Sequence, residues 1–123
     1  MKKPPQVKWL VQPVDKDYGA AESFLQLLFD SKKARTWSKK LKRVDVSEYF
    51  AKDIFRASGT ALSDVQAFDW TKQHNEIAAG KALSPILLIR QGDGKPLIIA
   101  DGFHRLCAVF ETDQEITVPC KIV

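Results

Sequence analysis

The 123-residue chain predicts an α+β fold: a small mixed β-sheet with flanking helices and an added N-terminal helical element. Three observations point there. Much of the first two thirds has apolar residues at three- and four-residue spacing, the period of helices. Two apolar runs, residues 85–90 and 96–100, then flank Gly92-Asp93-Gly94, the pattern of a β-hairpin. One more helical segment and a closing apolar stretch, residues 116–123, complete the chain.

Residues 1–16 hold Pro4, Pro5 and Pro13 and read as an extended arm, with residues 7–11 as an edge strand. From Asp17, a plausible N-cap, an amphipathic helix is expected with Phe24, Leu25, Leu28 and Phe29 as its apolar stripe. Ser31 can cap a second helix to about Leu41, in which Ala34, Trp37 and Leu41 share one face. Residues 44–47 alternate like a half-buried strand. Residues 51–58 read as a helix stopped by Gly59. Residues 60–66 read as a loop. Residues 67–79 read as a helix with Phe68, Ile77 and Ala78 inward and Gly80 as its stop. The hairpin follows, then a helix from Gly102 to about Glu111. Residues 1–43 are therefore read as an arm and helical extension packed on a core of residues 44–123.

The length suits one folding unit large enough to hold a core without metals or disulfides. No apolar run approaches the ~20 residues of a membrane helix, so no membrane partner is expected. No apolar stretch follows the basic start, so no secretory signal is read and a cytoplasmic setting is expected. Cys107 and Cys120 fit buried free thiols in a reducing compartment. Net charge is only +4, but Lys32, Lys33, Arg35, Lys39, Lys40, Lys42 and Arg43 crowd residues 31–44 with no acid among them. A basic patch on an otherwise acidic body suits an anionic partner. Trp9 and Trp37 offer surface for a homodimer.

The richest stretch is Ile98-Ile99-Ala100-Asp101-Gly102-Phe103-His104-Arg105-Leu106-Cys107-Ala108. A strand delivers the chain to a sharp turn, and Gly102 allows close backbone approach. The helix that follows begins with unpaired N–H groups and the positive end of its dipole, beside two donor side chains. Such a turn is built for an anion, phosphate above all. Gly102, Phe103, His104 and Arg105 are the candidate phosphate or nucleotide ligands. Asp101 reads first as a helix N-cap and second as a base or metal ligand. His104 is the other candidate for acid–base work. His74, in a polar helical stretch, reads as exposed. Asp53 and Arg56 read as an i,i+3 ion pair that could wall the pocket, as could Asp64.

These residues, with Ser84-Pro85-Ile86-Leu87-Leu88-Ile89 before them and Val118-Pro119-Cys120 after, resemble the ParB/sulfiredoxin-like superfamily. So does the lead-in Ile77-Ala78-Ala79-Gly80-Lys81-Ala82-Leu83-Ser84-Pro85-Ile86. The resemblance covers residues 77–123 well and 44–123 loosely, and it implies a nucleotide-phosphate site at the Asp-Gly-x-His-Arg turn. It also implies membership among CTP-binding partition proteins, nucleases, small-molecule kinases and sulfiredoxins. Phe103 stands where sulfiredoxins carry cysteine, which argues against that chemistry. The Glu-Asn-x-x-Arg segment and DNA-binding domain of partition proteins have no counterpart in these 123 residues.

Two functions are expected. In one, ATP, ADP or CTP binds with Mg²⁺, and any reaction is nucleotide hydrolysis or phosphoryl transfer. In the other, a non-catalytic module grips DNA or RNA through the same turn and through Lys32, Lys33, Arg35, Lys39, Lys40 and Arg43. A nuclease ranks lower, because no carboxylates cluster at metal-site spacing, and no metal ligand is assigned. No base other than Asp101 is placed by the sequence.

Overall fold

The computed structural model describes residues 6–61, 63, 71–113 and 115–123. Among these, the elements run α1 (Asp15–Leu25), α2 (Ser31–Arg43), β1 (Ser47–Phe50), α3 (Ala51–Ser58), α4 (Thr71–Ala78), β2 (Ile86–Ile89), β3 (Ile98–Asp101), α5 (Phe103–Thr112) and β4 (Thr117–Ile122). The sheet order is β1-β4-β2-β3. β2 runs parallel to β4, while β1–β4 and β2–β3 are antiparallel, so the sheet is mixed as expected.

β2 is the reason the sheet has two covered faces. Its four residues, Ile86 to Ile89, are all fully buried, as a continuous apolar run at the centre of a sheet requires. Alternation sends Ile86 and Leu88 one way and Leu87 and Ile89 the other. On the first face lie Ile54 and Phe55 of α3, Ile77 of α4, and Leu106 and Val109 of α5, with Val118 and Cys120 of β4. On the second lie Tyr18, Ala21 and Leu25 of α1 and Ala34 and Leu41 of α2. Each fully buried leucine here is worth about 1.5–3 kcal/mol relative to exposure.

α2 is pinned at both ends. Asp30 is its N-cap and accepts a hydrogen bond from the Lys33 N–H at 2.8 Å. Lys121 is buried from β4, donates to the Lys42 carbonyl at 3.2 Å, and lies 5.5 Å from the Tyr18 ring centre. A cation at the negative end of a helix is well placed.

Several expectations need correction. Ser31 is the first residue of α2 and not its cap. Asp17 lies inside the first turn of α1, whose N-cap is Val14. The buried stripe of α1 is Tyr18, Ala21 and Leu25; Phe24 is on the exposed side of the helix, and Leu28 is exposed beyond its end at Leu25. The face of α2 is as expected, with Ala34 and Leu41 buried and Trp37 half-buried against the same cluster, and it also includes buried Ser38, whose hydroxyl donates to the Tyr18 carbonyl. Residues 7–11 make no strand but an isolated bridge between Trp9 and Leu83. β1 starts at Ser47, later than expected. Ala78 is exposed. Phe68 and Asp64 lie outside the described residues.

Candidate functional site

β3 ends at Asp101, Gly102 turns the chain at φ 99°, and α5 begins at Phe103. A Cβ on Gly102 would stand 2.5 Å from Ile86 Cδ1 and 2.8 Å from Arg105 Nη2, so the turn needs glycine for both its dihedral and its space. Asp101 is not the N-cap of α5. Gly102 holds that place, and the Asp101 carboxylate accepts from Arg105 Nη2 at 3.1 Å instead.

Arg105 is the hub of the site. The same Nη2 donates to Asp17 Oδ2 at 3.3 Å and approaches the Pro85 carbonyl at 3.5 Å. Asp17, buried on α1, also accepts the Ser84 hydroxyl proton at 2.5 Å, and Ser84 Oγ accepts from the Val14 N–H at 3.1 Å. Helix α1 is thereby stapled to the chain entering β2. Burial pushes the Asp101 carboxyl above its ordinary 3.8. Arg105 works against the rise, and the neighbouring Asp17 carboxylate adds to it. Arg105 Nε is buried with no hydrogen-bond partner among the described residues.

Beside this cluster opens a cavity of about 420 Å³. Its wall gathers Lys16 of α1, Lys72 of α4, Lys81 of the following loop, and His104 and Arg105 at the start of α5. Asp17, Gln73, Glu76 and Ser84 complete its polar lining. Two of the cations are already balanced: Arg105 by Asp17 and Asp101, and Lys81 by Glu76 at 3.5 Å. Lys16 and Lys72 have no carboxylate partner among the described residues. With the positive end of α5 they leave the cavity attractive to an anion.

Of the residues expected from sequence, His104 and Arg105 line this cavity, while Asp101 and Gly102 shape it from behind Arg105. Phe103 is half-buried against the core, its ring 6.5 Å from that of Phe55 and edge-on to it. Asp53 and Arg56 pair at 3.8 Å as the spacing suggested, but Asp53 walls a different cavity. His74 is partly covered, with Nε2 3.8 Å from Glu111. Lys32, Lys33, Arg35, Lys39, Lys40, Lys42 and Arg43 are exposed on α2 and none lines the cavity. The Lys33 ammonium is itself engaged, 4.9 Å from the ring centres of both Phe29 and Trp37.

Sequence reasoning missed Lys16, Asp17, Lys72, Lys81 and Ser84. Lys81 and Ser84 sit in the quoted lead-in to β2 and carried a signal. Asp17 carried none, standing 88 positions from Arg105. Comparison with protein-family models, curated proteins and solved structures returned no match. Among the described residues no helix is long and apolar enough to cross a membrane.

Proposed function

We propose that this protein binds a nucleotide or another phosphate-bearing ligand in the cavity beside residues 101–105. The observation that supports this reading is the convergence of Lys16, Lys72, Lys81, His104 and Arg105 on one cavity at the start of α5. Lys16 and Lys72 meet the phosphate charge, and Arg105, braced by Asp17 and Asp101, offers its remaining N–H groups. Among the described residues no three His, Cys, Asp or Glu side chains gather as a metal site. Mg²⁺ would therefore arrive largely on phosphate oxygens. For hydrolysis or phosphoryl transfer, Asp17 is the best-placed base, fixed at the cavity wall by Ser84 and Arg105.

The test is a thermal-shift series with ATP, ADP, CTP, GTP, inorganic phosphate and short DNA, each with and without Mg²⁺. A ligand at a hundred times its Kd stabilises by about 2.7 kcal/mol, a readily visible rise in Tm. The exposed pair Lys16→Ala/Lys72→Ala should remove the shift and leave the unliganded Tm unchanged. Arg105→Ala is the harsher variant, because it leaves two carboxylates facing each other. If neither a nucleotide nor inorganic phosphate shifts the wild type, this reading fails.

One observation favours a second reading. α2 buries Ala34, Ser38 and Leu41, so all seven cations face outward. A DNA- or RNA-binding module would use this face. Its affinity would fall steeply with salt, and the Lys16→Ala/Lys72→Ala pair would change it little.

A further inference from the structure

A second cavity, of about 320 Å³, lies against the face of the sheet that α3 covers. It shares no lining residue with the phosphate cavity. Its floor is Leu88, fully buried, with Ile54 of α3 and Ile122 of β4 beside it. Ala57, Leu97 and the partly exposed Tyr49 form the sides. The volume falls at the lower end of the range for small-molecule sites, roughly 300–1,000 Å³.

Two charged residues complete the lining, Asp53 and Arg90. They are not equivalent. Asp53 already has Arg56 at 3.8 Å. Arg90 is held by its backbone N–H, which donates to the Val123 carbonyl at 2.6 Å. Its guanidinium has no hydrogen bond or ion pair among the described residues. Apolar walls with one uncommitted guanidinium suit a ligand with an apolar body and a single planar anionic head. A polyanion such as a nucleotide would meet Asp53 and an apolar wall. A cation would have to compete with Arg56 for Asp53.

From this we infer that the protein carries a second binding site, for a small amphipathic monocarboxylate whose carboxylate pairs with Arg90 and whose chain or ring lies against Ile54, Ala57, Leu88 and Ile122. The site is independent of the phosphate-binding reading.

Calorimetric titration of the full chain with sodium octanoate tests it, with octylamine as the probe of opposite charge. Octanoate should bind saturably at one site. Arg90→Gln should weaken it about tenfold, the loss of one charge-assisted contact. Octylamine should bind at least about tenfold more weakly than octanoate by the same contact. Ala57→Phe, at an exposed helix position, should block octanoate with Tm unchanged. Lys16→Ala/Lys72→Ala should bind octanoate as the wild type does, which separates this site from the first. Absence of saturable octanoate binding, equal binding of octylamine, or octanoate binding unaltered by both Arg90→Gln and Ala57→Phe would each overturn the inference.

Discussion

At Gly102 two constraints coincide that a larger residue would break together. The left-handed dihedral alone costs an L-residue about 1–2 kcal/mol. An added Cβ would also press on Ile86, whose side chain is buried in the core, and on the guanidinium of Arg105. Gly102→Ala should therefore lower stability by about 2 kcal/mol or more in chemical denaturation. On the proposed function it should also weaken phosphate binding, because Arg105 must shift. Asp101 gives a pH signature. Its carboxyl titrates above 3.8 when folded, so its protonated form is the one folding favours. The stability it contributes is fully present below 3.8 and is lost as pH rises through the raised folded value. Asp101→Asn keeps an acceptor for Arg105 and removes the buried charge. Its Tm should equal or exceed that of the wild type at pH 7, and the difference should shrink as pH falls through the raised folded value towards 3.8 and change no further below it.

Among the elements, α2 depends most on its ends. Asp30→Ala removes the side-chain cap on the Lys33 N–H and should cost about 1 kcal/mol, measured by urea denaturation. β2, the 92–94 turn, β3 and α5 were legible in the sequence because their signals are local: an apolar run, two glycines, a helical period. Gly92 and Gly94 do take positive φ, as that turn required. The stripe of α1 was misread in part: Leu25 is buried and Phe29 packs against the same cluster from beyond the helix, but Phe24 is on the exposed side and Leu28 is exposed past the end at Leu25. Nothing local distinguishes the last apolar residue inside a helix from the first one beyond it. The site was half legible for a related reason. Asp101, Gly102, His104 and Arg105 are neighbours in sequence, whereas Lys16, Asp17 and Lys72 reach the cavity through packing.

For the whole molecule, the sheet between two helical layers leaves both thiols sealed. Burial pushes Cys107 up to about 12, with Glu111 adding to the rise, and pushes Cys120 up to about 11. Neither carries appreciable thiolate at neutral pH. Iodoacetamide at pH 7.5 should modify both in urea and neither in the native protein over the same time. Slow native labelling would then report opening of the core. The contact between Asp17 and Arg105 spans 88 positions and holds the cavity's two ends together. A ribosome makes the first residue of that pair long before the second. A nascent chain still just short of residue 105 has the two bracing carboxylates but not the guanidinium between them, so this wall of the cavity cannot yet assemble. A fragment that stops just before residue 105 therefore has Asp17 and Asp101 but no guanidinium to join them.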